Sequence, residues 1–403
     1  DHHLPGPVLP DALAVINPKV SPGYPYSMLA GVGVAYKFAQ ALLEALAEPR
    51  RDEFLDAMLE LVALGTVCDV APLDGENRAL VAAGIRRLRQ GRWMGLRSLS
   101  AVGGLQTESI DSGSLGFVLG PRLNAGGRIH DAGLGVRLLL SKDREECEAL
   151  AAQLNAVNQQ RQGIEKEVVA QAMAEAETRM RAGDRILVLW NQGWHPGVVG
   201  LAASRVQEKC SRPAVVLAVE NGLARGSARS RRPFHLVKAL EHCSDLLDKF
   251  GGHEFAAGMT LSSASLEAFR ARMNEVASVL SEDDLVPEID VDCEASLQEM
   301  DRGMMDQLAR LQPFGQKNPR PVFVARSCRL LPGTRSVGSG GEHLKLVVRQ
   351  GPVEFSGIAF RQAETLLSLD REKPVDLVFS PGWNEYQGNR TLQLEVKDMA
   401  QAV

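Results

Sequence analysis

Apolar positions divide the chain into stretches of different period. Val8 to Ile16 is an apolar-rich run ending at the turn pair Asn17-Pro18, which predicts a strand region. Met28 to Ala47 and Phe54 to Leu64 repeat apolar residues at three- and four-residue spacing and read as helices. Asp74 stands where an N-cap would start a further helix through Arg89. Short apolar runs alternating with helical patterns over residues 1–140 predict an α/β domain. Residues 142–181 contain one Gly, at 163, and no Pro, with Leu150, Leu154, Val157, Ile164 and Val168 along one face. That pattern predicts a single helix on the order of 60 Å long, read as a strut between two domains. A dimeric coiled coil is the rival, but sustained heptads are missing.

Gly183-Asp184 ends the long helix. Strand-like Arg185 to Trp190 and Ala214 to Val219 flank a helix from Pro196 to Lys209, a second and smaller α/β unit. Residues 282–301 carry nine acidic side chains and no basic one, which reads as a solvent-facing connector. Five short strands follow Pro321, at 322–331, 343–350, 353–360, 374–380 and 391–397, and suggest a small barrel of the OB type. The expected domains are therefore 1–140, a long helix 141–182, 183–281, an acidic connector 282–320, and a barrel 321–403.

Composition narrows the classes. The 403 residues are 45% hydrophobic and 24% charged, which excludes a disordered or collagen-like chain. With 45 Lys and Arg against 50 Asp and Glu the net charge is -5, so any polyanion site must be a local patch. The six cysteines form no C-x-x-C pair, which argues against structural zinc and a disulfide framework. No apolar run approaches the ~18–20 residues of a membrane span, and a reducing cytosolic, cytoplasmic setting is expected.

Several residues could carry chemistry. Asp1-His2-His3 sets a carboxylate beside two imidazoles, either as a terminal remnant or at the exposed turn of a sheet. Asp69, in GTVCDVAPL, is flanked by apolar residues and is either buried and hydrogen-bonded or a ligand. Arg122, Asn124 and Arg128 lie in GPRLNAGGR, read as a Gly- and Pro-rich loop able to bring backbone N–H groups and guanidinium forks to a phosphate. Residues 221–240 hold Arg225, Arg229, Arg231, Arg232 and Lys238 without a carboxylate, and Gly226 and Ser227 permit close approach. Trp194-His195 precedes a Pro-Gly helix start, where Trp194 could stack a base or fill a core. In the barrel, Lys345, Arg349, Trp383, Tyr386 and Arg390 are stacking and phosphate candidates.

The DHH start, GTVCDVAPLD at 65–74, LGPRLNAGGRIHDAG at 119–133 and GGHEFAAG at 251–258 occur in an order that resembles the DHH-family phosphoesterases. The long helix, NQGWHPGVVGLAASR at 191–205, GSARS at 226–230 and the barrel resemble the RecJ branch of that family. The resemblance implies a DHH phosphoesterase domain joined by a long helix to a DHHA1 domain and then an OB-fold barrel. It implies two-metal phosphodiester hydrolysis with Mn2+ or Mg2+, releasing nucleotides 5′ to 3′ from single-stranded DNA in repair and recombination. By motif match, His2 and Asp69 would be metal ligands, His3 would touch the phosphate or leaving oxygen, and Asp1 would orient a histidine. Arg122, Asn124 and Arg128 would contact phosphate near the metal site. Ser227, Arg229, Gly252 and His253 would hold nucleic acid, including its 5′-terminal phosphate, with Trp194 and His195 as further contacts. A monomer working with single-strand-binding protein and a RecQ-type helicase is the implied setting. Family members also draw Asp ligands from motifs upstream of the DHH sequence, so this chain is expected to bind Mn2+ poorly and hydrolyse little. A phosphodiesterase for short oligonucleotides or cyclic dinucleotides, and a non-catalytic single-strand-binding module, are the competing readings.

Overall fold

The computed structural model describes residues 2–6, 8–20, 23–338, 340–386 and 389–402. Among the described residues the first 140 form α1 (Gly31–Ala45), α2 (Arg51–Cys68), α3 (Gly75–Leu88), α4 (Met94–Val102), the single turn α5 (Ser112–Ser114), α6 (Gly120–Ile129) and α7 (Gly133–Leu140). Next come α8 (Arg144–Arg181), β1 (Leu187–Asn191), α9 (Val199–Cys210), β2 (Ala214–Glu220), β3 (Leu223–Arg229), α10 (Leu236–Glu241), β4 (Lys249–Gly252), β5 (Ala256–Ser262) and α11 (Leu266–Val276). The last part holds β6 (Cys293–Glu294), α12 (Arg302–Ala309), β7 (Phe323–Leu330), β8 (Arg335–Val337), β9 (His343–Gln350), β10 (Val353–Ala359), β11 (Val375–Tyr386) and β12 (Asn389–Gln401). The chain divides into two compact units, one of residues 1–89, 110–116 and 289–403, the other of 90–109 and 117–288.

In the first unit α1, α2 and α3 pack in sequence. The approach of α2 and α3 is close enough that a Cβ on Gly84 would lie 2.1 Å from the Leu59 carbonyl oxygen. The strand expected over Val8 to Ile16 is not formed. Leu13 and Val8 are exposed, and no neighbouring strand among the described residues offers this stretch a ladder for its backbone groups. The Asn17-Pro18 turn does form, with the Val20 N–H donating to Asn17 O at 3.1 Å. Helix α3 starts at Gly75 as expected, but the Asp74 carboxylate accepts from the Tyr26 hydroxyl and caps no helical N–H.

Most of the remainder of that unit is a barrel. Its sheet runs β6-β7-β11-β12-β10-β9-β8 and closes through a β7–β9 pairing at Arg329–Arg349 and Leu330–Val348. The five expected strands are β7, β9, β10, β11 and β12, around a core that includes Phe323, Leu344, Leu346, Leu377 and Phe379. The acidic run is more than a connector. Cys293–Glu294 pairs in parallel with Phe323–Val324, Glu299 completes a capping box with Ser296, and Asp301 caps α12 through the Met304 N–H. Carboxylates at helix starts face the positive end of the dipole, which explains several of them.

In the second unit the 38-residue α8 carries two different faces in succession. Leu150, Ala151, Leu154 and Val157 are buried in the part of the helix that packs on α4, α6 and α7. Val168, Ala172 and Ala176 join a core with Leu187, Leu189, Val199, Ala202, Val206, Ala214 and Val216. The five-stranded sheet runs β1-β2-β3-β5-β4, with β1 and β2 parallel across α9 and the other pairs antiparallel. Its opposite face is covered by α10 and α11 through Leu236, Leu240, Phe269 and Met273.

Candidate functional site

Two sites emerge, one in each unit. In the first, His2 Nε2 lies 3.3 Å from Asp69 Oδ2. The His2 and His3 ring centroids are 4.5 Å apart. The turn after Ile16 clamps this segment: Asn17 Nδ2 donates to His3 O at 2.9 Å and Lys19 Nζ to His2 O at 2.6 Å. Asp69 caps the C-terminus of α2, followed by Val70 at φ 55, a left-handed conformation that is costly for a β-branched residue. The segment after it is held from the side. Asn77, fully buried, donates to Pro72 O and Met28 O, and the Leu73 N–H donates to Gln316 O at 2.7 Å.

Electrostatics favour a cation here. A carboxylate at a helix C-terminus meets the negative end of the dipole, and a bound cation relieves both. Burial holds the His2 imidazole below its ordinary pKa, outweighing the upward pull of Asp69, so its nitrogen is neutral and able to ligate. The 3.3 Å spacing is near the edge of an octahedron around a hard divalent ion, about 3 Å for bonds of about 2.1 Å. Carboxylate and imidazole together suit Mn2+ better than Mg2+. Burial pushes the neighbouring Cys68 thiol up to about 11, and its Sγ donates to Leu115 O at 3.7 Å. Among the described residues no group of three or more His, Cys, Asp or Glu side chains could hold an ion. Asp1 lies outside the described residues.

The second unit gathers an anion site. GPRLNAGGR is helical, a correction to its reading as a loop. Pro121 sits in the first turn of α6, and Gly126 serves close packing, since a Cβ there would lie 2.5 Å from Asp131 O. Arg122 is spent on structure, its Nε donating to Asn155 Oδ1 at 3.0 Å and Nη1 to Val118 O at 2.8 Å. Asn124 is exposed. Arg128 reaches the turn before α9, with Nη1 donating to Gly197 O at 3.3 Å. A Cβ on Gly197 would sit 2.0 Å from Arg128 O, so only glycine admits this approach. Gly200, one turn on, leaves room for Ser227 Oγ and Arg229 Nη2, which a Cβ would meet at 3.2 and 3.4 Å.

Arg128 and Arg229 are thus crowded together. Burial lowers the Arg128 pKa, as does Arg161, while the Glu165 carboxylate pulls it up; burial and then Arg128 lower that of Arg229. Glu165 attracts Arg128 without forming an ion pair with it, and neither guanidinium has an ion-pair partner among the described residues, so the pair can accept an anion. Below them Arg161 is buried against Glu165 and Asn158, and Glu165 also faces Arg205 at 3.7 Å. His253 is exposed, and its N–H donates to Ala256 O, opposite Arg229 in register. Gly252, at φ 151, makes that hairpin possible, because a Cβ would lie 2.3 Å from Ala256 O. His195 closes the Gly197 turn, its Nδ1 accepting from the Gly197 N–H at 3.0 Å.

Trp194 is a correction. It is 5% exposed in the α8–α9 core, and its indole N–H donates to Gln171 Oε1 at 2.8 Å, leaving no face for a base. The cationic run at 221–240 is also split. Arg231 donates to Asp284 O and Val286 O, and Lys238 lines a separate recess with Phe234 and His242.

Two domain families match the chain: the DHHA1 domain over residues 183–279 and the RecJ OB domain over 291–398. The single-stranded-DNA-specific exonuclease RecJ of Salmonella typhimurium is 38% identical over 424 residues, which cover 99% of this chain and 72% of that protein. The chain belongs to the RecJ family. The RecJ of Bacillus subtilis is 37% identical over 405 residues, and the chain spans 50% of its length. The crystal structure of RecJ from Thermus thermophilus in complex with Mn2+ superposes with a TM-score of 0.85 at 31% identity, over 100% of this chain and 58% of that one. Its Mg2+ counterpart gives 0.80 at 30% identity, over 96% and 58%. Family membership accounts for the domain content. Sequence reasoning missed Asn17, Lys19 and Gln316, which fix the RecJ-family DHH and Asp69 segments. Polar side chains flanking the Asn17-Pro18 turn were the signal for the first two.

Proposed function

We propose that this chain carries the strand-holding machinery and part of the metal-binding machinery of a single-stranded-DNA-specific exonuclease that hydrolyses phosphodiester bonds from a 5′ end. The observation that carries the reading is Arg128 beside Arg229, with Ser227 Oγ adjacent and no carboxylate among the described residues paired to either. Two guanidinium forks and a hydroxyl suit a terminal phosphate dianion better than a mid-strand phosphodiester, and gripping the terminus gives the reaction its direction. His2 and Asp69 would hold a divalent ion, Mn2+ by the donor set. When bound it neutralises charge on the scissile phosphate and lowers the pKa of a water. The chain's own contribution is positional: Asn17 and Lys19 hold the backbone of His2 and His3, and His3 stands beside His2 to meet the phosphate or leaving oxygen. Single-strand-binding protein and a RecQ-type helicase fit this reading as partners.

With two described donors, the 403-residue chain by itself is expected to bind Mn2+ weakly and hydrolyse little. Robust Mn2+-dependent digestion would overturn that expectation. The phosphate grip is tested by the affinity of oligothymidylates bearing a 5′-phosphate, a 5′-hydroxyl or a 3′-phosphate. The 5′-phosphate should bind tightest, and Arg229→Ala should erase its advantage. Equal affinity for all three strands refutes the reading.

A further inference from the structure

The sheet of the second unit is covered unequally. Leu187 and Leu189 on β1 and Ala214, Val216 and Ala218 on β2 face the core shared with α8 and α9. Cross-strand partners point to one face of a sheet, so the register extends that face over β3, β5 and β4. One row runs Ala218–Arg225–Thr260–Lys249, the next Val216–Ser227–Gly258–Gly251, and a third Ala214–Arg229–Ala256. Burial follows the same division. The β2 members are buried, whereas Arg225, Lys249, Gly258 and Gly251 are exposed and Thr260, Ser227 and Arg229 are half-buried.

The open part is cationic. Arg225, Arg229 and Lys249 project from it without ion-pair partners among the described residues. None of these three rows contains a carboxylate; Glu220 stands opposite Leu223 in the next row beyond Ala218–Arg225. Arg229 already belongs to the anion site, and Arg225 lies four residues along the same strand, about 14 Å away at strand rise. Lys249 stands two strands over, about 10 Å from Arg225. Gly251 and Gly258 leave the middle row low, and a Cβ on Gly251 would meet nothing within 4 Å.

We propose that Arg225, Thr260 and Lys249 form a second phosphate-contact row, along which a single-stranded nucleic acid continues from the Arg128–Arg229 site across the open half of the sheet. The inference rests on the reading of Arg128 and Arg229 as the holder of the terminal phosphate. Charge complementarity and continuity with that site select a polyanionic strand as the occupant. The chemistry of the face suits it as well: a row that binds phosphates and leaves a glycine floor reads no base sequence.

The test compares a 5′-phosphorylated dinucleotide with a long 5′-phosphorylated oligothymidylate by fluorescence anisotropy, without divalent ions, across a salt series. Each lost phosphate contact should reduce the slope of log affinity against log salt by about 0.7, a roughly fivefold loss at 0.1 M salt. Arg225→Ala and Lys249→Ala should each show this loss on the long strand and leave the dinucleotide unchanged, whereas Arg229→Ala should weaken both. Arg225→Lys should keep the slope, which separates charge from shape. If the long strand binds Arg225→Ala and Lys249→Ala as it binds the parent while Arg229→Ala still weakens it, the second row is wrong and the terminal site stands. If Arg229→Ala also has no effect, the reading beneath the inference fails with it.

Discussion

Replacing Trp194 separates packing from base stacking, because the two roles place their energies in different measurements. The side chain is 5% exposed among Val199, Ala202 and Ala172, and its indole N–H is bonded to Gln171. Trp194→Ala should therefore leave a large cavity and cost about 3–5 kcal/mol of stability. Trp194→Phe keeps most of the volume but loses the hydrogen bond. Gln171 is exposed and can turn to water, so the loss should be near the net value of one bond, about 1 kcal/mol. For a unit of this size that lowers the melting temperature by roughly 2–4 °C per kcal/mol. A stacking role makes the opposite forecast: unchanged melting, Phe tolerated, and about 1–3 kcal/mol of single-strand affinity lost in Trp194→Ala. The assay is thermal melting followed by circular dichroism, paired with anisotropy titration of the parent, Trp194→Phe and Trp194→Ala at a temperature where all three are folded. Unchanged melting in both variants, with affinity lost in Trp194→Ala, refutes the packing argument.

Gly197→Ala would drive a methyl group toward the Arg128 carbonyl, 2.0 Å away, so it should cost about 1–3 kcal/mol and weaken 5′-phosphate binding by displacing Arg128; normal melting and affinity would show that the turn yields freely. Arg78 Nη2 donates to the carbonyls of Arg310, Leu311 and Gln312 at 3.2, 2.9 and 3.3 Å. Arg78→Ala should cost about 1–2 kcal/mol, after discounting for partial exposure, and speed proteolysis near residue 310; an unchanged digestion pattern tells against it. Burial and the Glu76 carboxylate raise the Tyr24 phenol to about 12. Its folded pKa exceeds the unfolded value near 10, so its contribution is complete below pH 10 and disappears as pH rises toward 12. Tyr24→Phe should flatten the alkaline unfolding profile over that window, and a profile identical to the parent's contradicts the assignment.

Legibility followed the range of the interactions involved. Helical periodicity is local, so α1, α2, α3 and α8 were readable from the spacing of their apolar residues. Alternation with turns likewise gave the five principal barrel strands. The Val8 to Ile16 strand failed because a strand requires a partner, and a hydrophobic run cannot say whether one exists. GPRLNAGGR misled for a related reason. Its glycines looked like loop flexibility, but Gly126 is small because the Asp131 carbonyl lies against it within a helix. The family motifs pointed to His2 and Asp69 and the polar Asn17-Pro18 turn to the clamp from Lys19, whereas nothing near Leu73 in sequence announced the hold of the distant Gln316 on it.

The cationic window shows the same limit from the other side. Five cations within 221–240 looked like one patch because they were neighbours along the chain. In the fold, Arg231 holds backbone carbonyls at 284 and 286, Arg232 is exposed beyond the end of β3, and Lys238 lines another recess, leaving Arg225 and Arg229 on the open sheet face. Strand register then adds Lys249, which lies outside the window and was never grouped with them. Charge density along a sequence and charge density on a surface are different quantities, and a phosphate backbone responds to the second. The weak overall charge is consistent with that arrangement: the whole chain carries -5, so attraction for a polyanion has to be local, as it is where Gly197 and Gly200 confine two guanidiniums.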